Sequence, residues 1–411
     1  MSQVFEPLTL ASGLTVKNRV VKAAMEENLA NKAQKPDQAL YNLYSQWALG
    51  GVGMILTGNV MIDHLAMTGP GGVALESGAD LTPFKHLVKA AKQNDCKIVM
   101  QINHPGRQVF KKMGGKVLSP SDVSLNMGKH SGMFEQPKAM DESEISDVIE
   151  RFATTAELAE QAGYDGIQVH AAHGYLLAQF LSPLTNKRQD EWGGSLVNRA
   201  RLLLAVIDAI KQRVSNAFSV SVKLNSADFQ RGGFDVEDAQ AVVKMLESRQ
   251  IDFVELSGGS YEAPAMQGRT ADQRTLAREA YFLEFAEKIA ASTSMTIMTT
   301  GGISRMQTAQ RALESGVELV GMASALAFTP DLVNRWEKDN EVQGFIPQVR
   351  WQDKTLSGLA TMAVIKRQLR LMSKGKPPKL DSSPLWSLIC DQINAAKLTK
   401  RYRAQWQDEV R

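Results

Sequence analysis

The chain has 411 residues, 44% of them hydrophobic, so it can bury the core of one large barrel with an extension or of two to three ordinary domains. Its formal net charge of +3 is too small to suggest nucleic acid or an anionic membrane as a partner. The two cysteines, Cys96 and Cys390, exclude a disulfide framework and a four-thiolate cluster, and they are typical of a reducing compartment.

The N-terminus reads MSQVFEPLTL, without the basic start and apolar run of a signal peptide. No apolar stretch of about 18 residues, the length that crosses a bilayer, follows. We therefore expect a cytoplasmic protein with neither membrane nor nucleic-acid partners.

Eight strand-like runs, most of them separated by segments of helical period, follow along the chain. The runs are Arg19–Ala24, Met54–Thr57, Ile98–Ile102, Gly166–His170, Val220–Leu224, Phe253–Leu256, Met295–Thr300 and Glu318–Gly321. Eight βα pairs predict an α/β protein with a (β/α)8 TIM barrel in residues 1–330. A doubly wound sheet is the alternative, but the Gly-x-Gly-x-x-Gly turn usual after its first strand is missing.

Residues 331–411 are predicted to form a C-terminal helical extension. It contains apolar anchors such as Trp336, Leu369 and Trp386. These side chains would pack on the barrel or on another subunit, so a homo-oligomer is left open.

The fourth strand carries the strongest pattern. Asp141 and Glu144 have the spacing of a capping box, and the helical period that follows ends at Gly163. In the strand itself, Ile167 and Val169 alternate with Gln168 and His170. An aliphatic face toward helices and a polar face toward the interior are what a barrel strand requires.

Long segments follow the third and fourth strands, Asn103 to Met140 and Ala171 to Val197. Both leave the carboxyl ends of strands, where barrel enzymes build their active sites. A variable surface insertion or a lid is the alternative interpretation.

Three polar residues are predicted to face the axis near the mouth: Gln101, His170 and Lys223. Burying Lys223 without a partner would cost several kcal/mol, so we expect an electron-rich ligand there. The alternative is an internal salt bridge, for example with Glu255.

Strand seven ends in TTGGIS, where Gly301 and Gly302 leave backbone N–H groups open to an anion. Barrels often bind a phosphate after strands seven and eight. The position of the pair therefore favours a phosphate site.

Four blocks of the chain resemble the Old Yellow Enzyme family of FMN-dependent NAD(P)H oxidoreductases, especially its bacterial NADH:flavin oxidoreductase branch. They are Lys17–Met25, Gln101–Arg107, His170–Arg201 and Thr299–Ser304. The resemblance implies a barrel with FMN across its mouth and NADH or NADPH as the hydride donor. It also implies a small enone-type substrate, an α,β-unsaturated carbonyl compound whose C=C bond is reduced.

The resemblance implies roles for individual residues as well. The flavin would be held by Ala23, Ala24, Met25, Glu26, Gln101, Lys223, Gly301, Gly302, Ala323 and Ser324. His170 and His173 would hold the substrate carbonyl oxygen, and Tyr175 would be the proton donor. We also assign Tyr261 to substrate binding. A metal bound by His170 and His173 is the competing interpretation, but no third ligand is evident, and we predict no metal.

Two positions depart from the family pattern. Ser324 stands where relatives commonly carry the arginine that binds the FMN phosphate, and Arg305 could substitute for it. Glu26 stands where relatives have a Thr or Cys that bonds the flavin edge. A carboxylate there would be protonated or would make the flavin harder to reduce.

Three functions follow from this pattern. The first is a single-flavin ene-reductase, and the second is a flavin-dependent demethylase or dehydrogenase on the same barrel. The third, from a different class, is a barrel that has lost its flavin and serves as a binding protein.

Overall fold

We describe the chain from a computed structural model that covers residues 2–265 and 279–410, without the side chains of residues 354, 355 and 407–410. Eight parallel strands close into a barrel in sequence order, the first pairing with the eighth and the fourth with the third. The strands are β1 Val20–Lys22, β2 Met54–Leu56, β3 Lys97–Asn103, β4 Gly166–Ala171, β5 Ser219–Asn225, β6 Phe253–Ser257, β7 Thr296–Thr300 and β8 Leu319–Met322. Each overlaps one predicted run, and the predicted (β/α)8 barrel is confirmed.

Helices surround the barrel and continue beyond it. They are α1 Gln38–Leu49, α2 Thr82–Ala91, α3 Glu142–Gln161, α4 Leu176–Leu181, α5 Leu196–Lys211, α6 Val236–Glu247, α7 Leu283–Ala290, α8 Met306–Glu314, α9 Ser324–Phe328, α10 Leu332–Trp336, α11 Lys354–Met372 and α12 Pro384–Val410. The predicted capping box is present at α3, since Asp141 accepts from the Glu144 backbone and Glu144 from the Asp141 backbone.

Short elements account for the other regular structure in the described residues. Their bounds are Gln3–Phe5, Gln93–Asp95 and Gly128–Met133 for the 3-10 turns, and Leu8–Thr9, Thr15–Val16, Val60–Met61, Val73–Ala74, Leu118–Ser119 and Lys138–Ala139 for the two-residue strands. The first two strands form an antiparallel hairpin, and its Leu10 and Val16 join the apolar cluster of Val99, Phe253 and Met298 inside the barrel. This end is therefore filled with apolar side chains, which leaves the opposite end for chemistry.

Lys22 in β1 is fully buried on the outer side of the barrel wall. Its ammonium lies 4.4 Å from the centre of the Trp47 ring of α1, donates to the Leu56 carbonyl at 3.0 Å and faces the Glu27 carboxylate at 3.5 Å. Burial lowers its pKa to about 8 in spite of Glu27. The contacts fix the chain where it leaves β1 toward the mouth.

The segment predicted as a helical extension, residues 331–411, contains the helices α10, α11 and α12. The amides of Asn42 and Gln46 on α1 donate to the carbonyls of Ser373 and Met372 at the end of α11. Trp336 of α10, near the start of the extension, is buried in the main core. None of the described helices is both long and apolar enough to cross a membrane.

Candidate active site

Polar side chains inside the barrel form one hydrogen-bonded layer toward the carboxyl ends of the strands. The strand register pairs Gln101 with Gln168 and Lys223 with Glu255. Gln101 Nε2 donates to Gln168 Oε1 at 2.7 Å, and Gln168 Nε2 donates to Glu255 Oε2 at 3.0 Å. Lys223 Nζ donates to Glu255 Oε1 at 2.7 Å. The structure thus shows the salt bridge that the sequence left as the alternative. The ligand expected from the buried charge of Lys223 is not required, because Glu255 compensates that charge.

Asn103 supplies independent evidence for a ligand. It ends β3 two residues after Gln101, so it faces the interior one layer nearer the mouth. It is fully buried, and neither amide atom has a hydrogen-bond partner among the described residues. An unsatisfied buried polar group costs roughly 1–3 kcal/mol. The donors and acceptors on a flavin ring edge fit this amide. If the alternation of inward and outward residues in β3 had been continued two residues beyond Gln101, the sequence would have predicted that Asn103 faces the interior.

His170 and His173 lie together at the end of β4. Their ring centres are 5.0 Å apart at an interplanar angle of 74°. His170 Nδ1 accepts from the Ala172 backbone at 3.2 Å, and His173 Nε2 is 2.7 Å from the Ser257 hydroxyl. Burial, and after it the charge of Lys223, lowers the pKa of both rings well below the ordinary value. Both are therefore neutral near pH 7.

Tyr175 lies against the His170 ring, with centres 4.9 Å apart and planes at 88°. Its hydroxyl is 3.3 Å from the hydroxyl of Tyr261 on the loop after β6. Burial, then Tyr261 and Glu26, raises the pKa of Tyr175 well above the ordinary value. The phenol stays protonated near neutral pH and can act as an acid.

A largely buried ion pair, Arg107 with Glu262, holds the loop that carries Tyr261. Arg107 donates to the Glu262 carboxylate at 2.7 Å and to the carbonyls of Val123 and Ser124. The other Glu262 oxygen accepts from the Asn126 backbone at 2.6 Å. The long segment after β3 and the loop after β6 are thereby tied together beside the mouth. Sequence reasoning missed this pair, whose members are 155 residues apart.

The predicted flavin-lining residues of β1 are at its carboxyl end. Ala23 is buried and donates its N–H to the Met322 carbonyl of β8 at 2.8 Å. Ala24 packs on the apolar cluster inside the barrel, while Met25 packs on the outer core. Glu26 accepts from the Thr68 hydroxyl at 2.6 Å.

The glycine pair after β7 has a backbone explanation of its own. Gly301 and Gly302 have φ values of +112° and +74°, and a Cβ on Gly302 would lie 2.6 Å from the Tyr281 ring. Ser324 begins the short helix α9, directly after Ala323. Arg305, the predicted substitute for the missing arginine, faces the Glu279 carboxylate at 3.6 Å. The phosphate role of these residues remains a prediction.

Among the described residues, one group of three side chains has the spacing of metal ligands: Asp63, His64 and Glu76. Its acidic members face the cations of Lys116 and Arg151. His170 and His173 do not belong to it, so their metal interpretation has no third ligand in the part of the chain described.

Residues 3–343 match the model of the NADH:flavin oxidoreductase / NADH oxidase family. The chain belongs to this family. The NADH-dependent flavin oxidoreductase nadA of Aspergillus parasiticus is 40% identical over 298 residues, which are 69% of this chain and 67% of that protein. The NADH-dependent flavin oxidoreductase iliE of Hypocrea jecorina is 32% identical over 370 residues, 84% of this chain and 92% of that one.

A solved structure agrees on the fold. The Old Yellow Enzyme homologue from Zymomonas mobilis superposes with a TM-score of 0.71 over 84% of this chain and 95% of that one, at 24% identity. The match over residues 3–343 confirms the resemblance to the NADH:flavin oxidoreductase branch of the Old Yellow Enzyme family, and this family member is an oxidoreductase.

Buried histidines also make this family member sensitive to acid. Burial lowers the pKa of His104 from 6.5 to about 4. The unfolded chain binds the proton more readily, so stability falls as the pH drops through 6.5. At about pH 5.5, His104 alone should cost about 1.4 kcal/mol of unfolding free energy.

Urea unfolding of wild type and His104→Asn at two pH values measures this cost. Asparagine keeps an acceptor for the Gly106 N–H that His104 Nδ1 accepts at 3.1 Å. Between about pH 7.5 and 5.5, the variant should lose about 1 kcal/mol less than wild type. An equal loss in both proteins would contradict the assignment.

Proposed function

We propose that the protein binds FMN across the mouth of the barrel and uses NADH to reduce the activated C=C bond of α,β-unsaturated carbonyl compounds. The carrying observation is the neutral His170 and His173 pair with the protonated Tyr175 beside it. When bound, FMN would take hydride from NADH and deliver it to the β-carbon of the alkene. Relatives named NADH-dependent favour NADH over NADPH.

Asn103, Gln101 and Lys223 are the groups that would hold the flavin ring. Asn103 offers an amide with both atoms unpartnered. Gln101 and Lys223 belong to the buried layer of side chains beneath Asn103. At the other end, the backbone of Gly301, Gly302, Ala323 and Ser324 would face the phosphate.

The histidines would hold the substrate oxygen. Because His170 Nδ1 accepts a backbone hydrogen bond, its proton is on Nε2 and can be donated. Negative charge develops on the carbonyl oxygen during reduction, and preorganised N–H donors stabilise that charge. Tyr175 would then donate its proton to the α-carbon, with the Tyr261 ring as a wall of the substrate site.

The flavin is tested with Asn103→Leu. The purified wild type should show flavin absorbance that NADH bleaches without oxygen. The variant should bind added FMN about tenfold more weakly, while the flavin-free form gains roughly 1 kcal/mol in stability because the unsatisfied amide is gone. Weaker FMN binding together with higher stability would indicate lost ligand contacts, whereas damaged folding would lower both binding and stability.

A wild type with no flavin absorbance and no heat of FMN binding would support the flavin-free binding protein instead. Turnover over enones, nitroalkenes and N-methylated compounds separates the ene-reductase from the demethylase. Oxidation of only the N-methylated compounds would contradict the proposed reaction.

A further inference from the structure

The C-terminal extension brings a cation to the mouth of the barrel. Lys366 on α11 places its ammonium 4.0 Å from the second carboxylate oxygen of Glu26, whose first oxygen accepts from Thr68. We call Glu26 and Lys366 the rim ion pair. Their side chains are 27% and 19% exposed, so the pair lies partly buried at the protein surface.

Several further contacts show that the extension is seated on this part of the barrel. Arg401 of α12 donates to the carbonyls of Ala30 and Asn31 in the segment after β1. The Tyr402 hydroxyl donates to the His64 carbonyl at 3.0 Å, in the segment after β2. These segments also carry Glu26 and Thr68. The position of Lys366 is therefore part of a larger contact between the extension and the mouth.

The charge of Glu26 affects the pKa of two tyrosines of the proposed reaction. After burial, it is the next cause that raises the pKa of Tyr261, and it also contributes to the raised pKa of Tyr175. In the strand layer beside the histidines, the charge of Lys223 is already paired with that of Glu255. The electrostatic potential felt by a ligand beside Tyr175 thus depends on how far Lys366 offsets Glu26.

We propose that Lys366 is a specificity-determining residue: by offsetting Glu26, it allows a ligand with negative charge on oxygen to bind at His170 and His173. Such ligands include phenolates and the enolate-like form of a reacting enone. The location of the ligand rests on the proposed function. Lys366 acts through Glu26 and need not touch the ligand itself.

Two ligands of similar shape and different charge test the proposal on the holoenzyme. Calorimetry gives the Kd of 4-nitrophenolate, at a pH where the phenol is ionised, and of neutral 4-nitroanisole. Lys366→Met should weaken nitrophenolate binding about threefold to tenfold and leave nitroanisole within about twofold. Lys366→Arg keeps the positive charge and should restore nitrophenolate binding. Lys374→Met removes the same charge from an exposed position just beyond α11 and serves as the control.

A double variant tests whether Lys366 and Glu26 act on the ligand as opposite charges. Glu26→Gln alone should tighten nitrophenolate binding, and Glu26→Gln with Lys366→Met, which removes both charges, should return the Kd close to the wild-type value. Weaker nitrophenolate binding in Glu26→Gln, an equal loss for both ligands in Lys366→Met, or no loss at all would overturn the proposal. If wild type binds neither flavin nor nitrophenolate, the proposed function itself fails, which is seen before any variant is compared.

Discussion

Tyr175→Phe is expected to slow reoxidation of the reduced flavin by an enone about 10²-fold or more, the scale of a lost general acid. The change keeps the ring against His170 and removes only the hydroxyl that lies 3.3 Å from Tyr261. The hydroxyl's described partner is this second phenol, not the backbone carbonyl expected of a purely structural tyrosine. Rapid mixing of the NADH-reduced variant with the enone measures the rate.

Flavin reduction by NADH should stay near the wild-type rate, because that step needs no proton from the phenol. A nitroalkene should be affected less than an enone, since its nitronate can leave unprotonated. Tyr41→Phe, on α1 and bonded to the Pro36 carbonyl, is the matched control. Unchanged enone reoxidation in Tyr175→Phe would assign the proton to water or another residue.

Replacing both His170 and His173 with alanine should weaken phenolate binding about 100-fold, because two hydrogen bonds to a charged oxygen are lost at roughly 1.5 kcal/mol each. Enone reoxidation should suffer with it, while flavin reduction by NADH changes much less. The pKa of both rings lies well below the ordinary value, so their effect comes from N–H donation and not from positive charge. Spectral titration with a phenolate gives the Kd.

The double asparagine variant is the control for this pair. Asparagine keeps an N–H donor near each position and should recover part of the binding. Equal loss of phenolate binding and of flavin reduction in the alanine variant would indicate general damage to the mouth and count against the oxyanion role.

The barrel was predictable because the alternation of apolar and polar residues along a strand indicates which face packs against the helices. In β4, Ile167 and Val169 are in the outer core, while Gln168 and His170 face the interior layer. The histidine pair and Tyr175 were found for a related reason: all three lie within six residues at the end of one strand. Their close spacing in the sequence was sufficient to predict that their side chains lie together.

Contacts between distant segments were not predictable in this way. Lys366 lies 4.0 Å from Glu26 in space, but most of the barrel separates the two residues in the sequence. No periodicity links them. Whether Lys223 faced a ligand or Glu255 depended on the register between β5 and β6, which the sequence left open. The glycine pair was assigned to an anion alone, because nothing in the sequence placed the Tyr281 ring over Gly302.

In the proposed reaction, the barrel mouth passes reducing equivalents from NADH to an enone. The most direct test of this reaction is to reduce the FMN-loaded protein with one equivalent of NADH without oxygen and then add 2-cyclohexenone. We expect the oxidised flavin spectrum to return together with one equivalent of the saturated ketone. A flavin that stays reduced until oxygen is admitted, with no ketone formed, would contradict the account.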